Sequence, residues 1–437
     1  MKEQYDSYKD SGVPWIGQVP KGWEVRRLKY VLANTCAGVW GDDARGDEND
    51  IVCFRVADFD YTHGCLKFDK ITIRNIPSEQ LKGRIVHKGD LLLEKSGGGD
   101  LSPVGRVVRC NYEGKATCSN FMQVMSVKDG YSADFIYYYF FAAYSNRINL
   151  LYINQTTGIQ NLKMSEFMSQ TLFIPPLPVQ RAIAGYLDAR CAAIDAYVAS
   201  IEREAGLARE LKQAVIARAV TRGLDPNTPM RDSGIPWIGQ VPQGWECVKL
   251  RKYLRLCSER GRQDEQLLSV TREQGVIIRN TESKEENHNF IPADLSNYKY
   301  VRAGQFAINK MKAWQGSYGV SPYNGIVSPA YYVCDLANID PHFFSIAIRS
   351  RAYVPFFSQM SKGIRVDQWD LSTDALKSIP FIEPPLPIQR AIAGYLDARC
   401  AAIDAYVSSL EREAALAREL KAREIADAVT GKVKIAG

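Results

Sequence analysis

The chain reads as an α+β protein: two mixed α/β heads joined by two long antiparallel helices, with an internal pseudo-two-fold repeat. Three observations predict this. Residues 180–212 return at 389–421 with thirty of thirty-three positions unchanged, at an offset of 209. A tryptophan-bearing loop, Asp10–Pro20, returns at Asp232–Pro242, at an offset of 222. Between loop and helix, each half carries a segment rich in β-branched and aromatic residues that hardly repeats.

The opening loop comes first. Gly and Pro flank Trp15, Trp23, Trp237 and Trp245, which predicts an ordered loop docking aromatic rings against the long helices rather than a helix or strand. In the first half Ile51–Val56, Asp90–Glu94, Val104–Cys110 and Phe121–Val127 have strand composition, and Asp134–Asn149 reads as a buried helix. In the second half the strands are Leu267–Thr271, Val276–Ile278, Gln305–Ile308 and Ala330–Cys334, and Pro341–Arg351 is the matching helix. Each half then reaches Pro-Pro-Leu-Pro (175–178 and 384–387), which can start a helix but not continue one. Ile183, Leu187, Ile194, Ile201, Ala208 and Val215 follow at steps of four and seven, and Ile392, Leu396, Ile403, Leu410 and Ala417 repeat them. That is a thin apolar seam on a helix of roughly 65 Å from Gln180 to Gly223, at about 1.5 Å per residue. The chain therefore divides into a first head at 1–175, a helix at 176–223, a second head at 224–383 and a helix at 384–437.

Composition narrows the class. No apolar run is long enough for a membrane span, and the first residues do not form a signal peptide. Ten cysteines without a C-x-x-C pair predict reduced thiols in a cytoplasmic protein rather than disulfides or zinc. The net charge of +6 is spread thinly: residues 1–175 hold 21 basic and 20 acidic groups, and no other segment has an excess above two. A nucleic-acid surface must then be a local patch. The densest run of basic residues is Lys249, Arg251, Lys252, Arg255, Arg260 and Arg262, which a solvated face explains equally well.

The two heads share a skeleton and little surface. Lys88-Gly89-Asp90-Leu91-Leu92-Leu93-Glu94-Lys95 aligns with Ala303-Gly304-Gln305-Phe306-Ala307-Ile308-Asn309-Lys310. After the shared lysine the loops part: Ser96-Gly97-Gly98-Gly99 against Met311-Lys312-Ala313-Trp314-Gln315. A second loop keeps Gly-Ile (158–159 and 363–364) and varies beyond it. Matching struts with unlike heads describe a molecule that recognises two different things at a fixed distance.

These residues resemble the specificity subunit of type I restriction–modification enzymes. The resemblance spans essentially the whole chain and lies in the duplicated D-S-G-[VI]-P-W-I-G, in L-L-L-E-K-S-G-G-G-D, in N-K-M-K-A-W-Q-G and in P-P-L-P-x-Q-R-A-I-A-x-Y-L-D. It implies two target-recognition domains, each reading one half of a bipartite, asymmetric double-stranded DNA site, with the helices as a ruler. It implies two modification subunits that methylate adenine with S-adenosylmethionine, and restriction subunits that use ATP and Mg; this chain itself would hold no cofactor. Two major-groove readers on one face of B-DNA sit about 34–36 Å apart, which such helices can span.

On that reading, base contacts come from Arg, Lys, Asn or Gln on loops that can enter a groove. The candidates are Lys95, Ser96, Gly97, Gly98, Gly99, Gln160, Asn161 and Lys163 in the first head, and Lys310, Lys312, Trp314, Gln315 and Arg365 in the second. Tyr186, Arg190, Tyr197 and Glu204, with Tyr395, Arg399, Tyr406 and Glu413, flank the seam; they face partner subunits or, equally well, the other helix of the same chain. No catalytic or metal set emerges. The Gly-rich loop lacks the phosphate-loop spacing, the Pro-Pro segments lack the polar residue and aromatic of an amino-methyltransferase, and Glu282-Ser283-Lys284 has no placed acidic partner. The four histidines show no ligand spacing. A fused methyltransferase or nuclease, and a coiled-coil scaffold that does not bind DNA, are the competing readings.

Overall fold

The computed structural model describes residues 3–99, 101–156, 158–281, 291–292, 294–363 and 369–435. They form two compact units, one of Met1–Glu202 with Glu411–Gly437 and one of Arg203–Leu410. The boundary falls inside both long helices, Leu177–Arg222 and Leu386–Val429, so each unit is a head plus a part of each helix. The first helix begins three residues before Gln180 because Pro178 fits the first turn, where its missing N–H has no partner to lose.

In the first unit a six-stranded sheet runs in the order Leu32–Ala37, Met122–Val127, Leu91–Glu94, Val107–Arg109, Cys65–Leu66, Phe59–Asp60. The strand expected at Val104–Cys110 is shorter, because Gly105 takes a positive φ of 111° and its chain packs against Asn149. The helix expected from Asp134 spans Ala133–Ser145 and is capped by Ser132, whose side chain accepts from Phe135 N–H. Its buried face, Phe135 to Phe140, meets Leu172, Ile183 and Leu187 in one core.

The second unit repeats the plan with fewer strands: Leu254–Cys257, Tyr332–Leu336, Phe306–Ile308, Tyr318–Val320 in one sheet, and a helix Pro341–Ile348 capped by Asp340. In both units a strand pair missed from sequence closes the head just ahead of the long helix. Glu24–Arg27 pairs with Thr171–Ile174, and Glu246–Lys249 with Pro380–Glu383. The opening loops, expected to hold neither helix nor strand, are each bounded by a short antiparallel strand pair, Tyr8–Asp10 with Gln18–Pro20 and Met230–Asp232 with Gln240–Pro242.

The helices run antiparallel within each unit. In the first, Arg190 pairs with Glu424 at 2.7 Å, Lys421 with Asp195 at 2.6 Å, and the Tyr197 hydroxyl donates to Glu413. In the second, Lys212 pairs with Asp404 at 2.6 Å and the Tyr406 hydroxyl donates to Glu204. Shifting by 209 turns Tyr197–Glu413 into Tyr406–Glu204 and Lys421–Asp195 into Lys212–Asp404, with the two helices exchanging roles. The seam is buried as the spacing requires, from Ile183 at 0% exposed to Ile201 at 4% and from Ile392 at 0% to Leu410 at 6%; Val215 and Ala417 are half-buried.

Each helix ends on an opening loop. Gly431 has a positive φ of 74°, and a Cβ there would lie 2.4 Å from Pro20 Cδ and 3.1 Å from Trp23. Gly223 meets Trp245 the same way, at 3.2 Å. Gly431→Ala is therefore expected to cost about 1–2 kcal/mol, from the left-handed backbone plus the collision. Calorimetry of the first unit's transition checks it, and an unchanged transition would show that the loop gives way freely. All ten cysteines are free thiols, and burial pushes Cys53 and Cys334 up to about 12.

Candidate nucleic-acid interface

In the first unit the fold brings both nominated loops to one edge. Ser96–Gly97 forms a strand against Ile159–Leu162, with Ser96 opposite Asn161 and Gly97 opposite Gln160. The Ser96 hydroxyl donates to Asn161 Oδ1 at 2.5 Å. Gly98 is required here: its φ is +47° and a Cβ would lie 2.8 Å from Val104 N. Past it the loop closes on itself, Gly99 and Ser102 exchanging backbone hydrogen bonds of 3.1 Å.

The nominated side chains then take different places. Asn161 and Lys163 are exposed, Lys163 standing 3.8 Å from Glu166. Gln160 is 5% exposed and its Oε1 accepts from Val104 N–H at 3.3 Å, so it braces the loop from below. Lys95 is half-buried and makes no ion pair among the described residues. Burial lowers its pKa, and nearby Arg84 adds to that. A cation in that condition gains from an anion more than an exposed lysine does. Glu94, one residue back, is held by Arg106 at 2.9 Å; its carboxyl is still pushed up by burial.

The second unit builds an analogous edge with other residues. Lys310 pairs with Asp370 at 3.0 Å, and Leu371 N–H donates to its carbonyl at 3.1 Å. Trp314 packs on Trp369 with centroids 5.0 Å apart, its Nε1 buried without a hydrogen-bond partner among the described residues. Lys312 is exposed at the start of a short turn, Ala313–Gln315, that Gly316 ends at a positive φ of 99°. Gln315 borders a cavity of about 510 Å³ with Arg272, Arg349 and Arg351. Arg365 and Glu282-Ser283-Lys284 lie outside the described residues.

Half of the basic run at 249–262 is engaged inside its unit. Lys252 holds Glu383 and Glu246, Arg262 holds Glu259 and Glu265, and Arg255 donates to backbone carbonyls.

Sequence reasoning passed over a cleft of about 550 Å³ in the first unit, lined by Trp40, Arg55, Asn120, Phe121, Ser96 and Gly98 among others. Phe121, expected to open the strand Phe121–Val127, sits instead in the turn before Met122–Val127 and is 46% exposed. Nothing local in the sequence brings Trp40 to that turn.

On the helices, Tyr197, Glu204, Tyr406 and Glu413 bond to the partner helix of their own unit, as does Arg190. Tyr186 and Tyr395, 37% and 45% exposed, and Arg399 face solvent. Among the described residues no group of three or more His, Cys, Asp or Glu is placed to hold a metal, and no helix is long and apolar enough to cross a membrane.

Comparison with known proteins adds the following. Residues 20–199 match the family described as the type I restriction modification DNA specificity domain. The type I restriction enzyme MjaVIII specificity subunit from Methanocaldococcus jannaschii is 23% identical over 448 residues, covering 96% of this chain and 94% of that protein. A chain solved for the complex assembly and conformational transition of the type I R-M system superposes with a TM-score of 0.66 at 15% identity, over 94% of this chain and 98% of its own. The HsdS subunit from Thermoanaerobacter tengcongensis does so with a TM-score of 0.51 at 15% identity, over 95% and 98%. At that identity the two structures speak for the fold.

Proposed function

We propose that this chain is a specificity subunit of a type I restriction–modification system, that each head reads one half of a bipartite double-stranded DNA target, and that the helices carry the subunits that act on it. One observation carries the proposal. Both heads keep a lysine at the end of the same sheet strand, Lys95 and Lys310, and beside it each builds a different pair of loops on one edge. A shared anchor with unlike loops suits a phosphate contact common to both heads and base contacts private to each. The two half-sites would therefore differ.

The contacts that repeat under exchange of the helices support two copies of one modification subunit. Chemistry would belong to those partners: methylation of adenine with S-adenosylmethionine, and ATP- and Mg-dependent cleavage by restriction subunits. The chain would act in the cytoplasm, on the cell's own and incoming DNA.

The test is sequencing for N6-methyladenine in cells expressing the chain with its modification subunit, beside the modification subunit alone. A motif with unlike halves and a fixed gap, present only with this chain, is expected. A verified complex that leaves no motif would sink the proposal.

Within it, Lys95→Ala should weaken binding to all sequences alike and reduce the slope of log K against log salt by about one. A loss confined to one target base would instead make Lys95 a base reader.

A further inference from the structure

The cleft beside the glycine-rich loop is lined in the first head by residues that the second head does not share. Leu93 lies opposite Gln123 and Ile308 opposite Tyr332. With Lys95 matched to Lys310, the positions of Asn120 and Phe121 fall on Pro329 and Ala330. The second head thus offers neither the ring nor the amide there.

The cleft has the size and lining of a ligand site. Its volume of about 550 Å³ lies within the roughly 300–1,000 Å³ of small-molecule pockets. Trp40 and Phe121 line it while remaining 36% and 46% exposed. Phe121 is held in place, since Lys95 and Ser96 N–H both donate to its carbonyl, at 3.0 and 3.2 Å. The Trp40 ring carries the Arg74 guanidinium at 4.5 Å from its centroid. Asn120 is exposed between them in sequence, and its amide makes no hydrogen bond among the described residues.

The loop that walls the cleft also carries an exposed apolar side chain. Gly97 and Gly98 line the cleft, and three residues on Leu101 is 98% exposed. A single exposed leucine is ordinary on a protein surface; Leu101 matters here because the loop that carries it also walls the cleft. Apolar side chains of this kind enter base steps and unstack them, and aromatic rings accept an unstacked base whatever its identity.

We propose that Leu101 enters the base stack of the first half-site, and that the base it displaces is held in this cleft against Trp40 and Phe121, with Asn120 at its polar edge. The occupant is a nucleobase of the bound duplex. The inference rests on the DNA-reading function proposed above.

The test uses duplexes of the methylated motif with 2-aminopurine, an adenine analogue that brightens when unstacked, at each position of the half-site in turn. They are bound by the full-length chain with its modification subunit. A severalfold rise in emission is expected at one position other than the methylated adenine. Phe121→Ala and Leu101→Ala should each abolish that rise, and Phe121→Ala should weaken binding by about tenfold. Both side chains are exposed, so their truncation opens no core; Trp40→Ala is run beside them because it also releases Arg74. No rise away from the methylated adenine, or such a rise that either variant keeps, overturns the proposal while leaving the DNA-reading function intact. Absence of site-selective binding by the unsubstituted complex overturns both.

Discussion

Phe381→Ala is expected to destabilise the second unit by about 3–5 kcal/mol, the cost of emptying a large buried ring site. Phe381 is 0% exposed, and four rings surround it: Tyr253, Phe343, Phe344 and Tyr353, with centroids 5.7, 6.3, 5.4 and 5.0 Å away. Phe343 and Phe344 come from the helix Pro341–Ile348 and the two tyrosines from outside it, while Phe381 itself lies in Pro380–Glu383, the strand that leads into the long helix. Truncation therefore opens a cavity where head and helix meet, and no neighbouring side chain can fill it without leaving its own ring contacts. For a unit of this size the loss corresponds to a fall of about 10 °C in its unfolding transition. The equivalent position in the first unit is Leu172, so that unit's transition should hold. Calorimetry separates the outcomes, and a shift of both transitions together would mean that the units unfold as one.

The second expectation concerns a buried amide used twice. Gln180, 1% exposed, accepts from Ser132 N–H at 2.8 Å and donates to the Pro175 carbonyl at 2.8 Å. Gln389, 2% exposed, accepts from Asp340 N–H at 3.0 Å and donates to the Pro384 carbonyl at 2.8 Å. Ser132 and Asp340 cap the helix of their head, so each glutamine ties a head to the start of its long helix. Gln180→Ala leaves a half-buried N–H and a buried carbonyl without the amide, at about 2–4 kcal/mol for the two. Gln180→Glu should not rescue, because a carboxylate has no hydrogen for the Pro175 carbonyl and brings a charge into a dry site. The exposed neighbour is the control: Arg181→Ala should stay within about 0.5 kcal/mol. Denaturant melts of the three variants decide it, and an alanine variant as mild as the control would mean that water replaces the amide.

What could be read in advance followed from how local each signal is. The long helices were legible because Ile183, Leu187, Ile194 and Ile201 repeat at helical steps and a second copy confirms them. Leu91–Glu94 was legible as an unbroken apolar run between turns. Glu24–Arg27 was not, because all four residues are exposed and its partner lies some 150 residues away, at Thr171–Ile174. The helix from Ala133 ends at Ser145, short of the expected Asn149, since Arg147 turns left-handed with φ 59°.

The candidate site divides the same way. Lys95 and the glycines that follow it flagged a loop that approaches something closely, and Gly98 shows the local reason. That Ser96 would sit on Asn161, or that Gln160 would turn inward, depends on strand pairing across some sixty residues. The cleft needs Trp40, Arg55 and Phe121 together, and no spacing in the chain announces that.

The exchange of roles between the helices has a consequence for ancestry. The contacts Tyr197–Glu413 and Lys421–Asp195 join one repeat to the other, and their shifted counterparts do so in the opposite sense. A polypeptide holding one repeat alone would contain both sides of every such pair, Tyr197 with Glu204 and Lys212 with Asp195. Two copies would satisfy it isologously, as a symmetric dimer with two like heads. Fusing two such genes frees the heads to diverge while the seam stays under constraint. A change confined to one head would then leave the seam contacts of the scaffold unaltered.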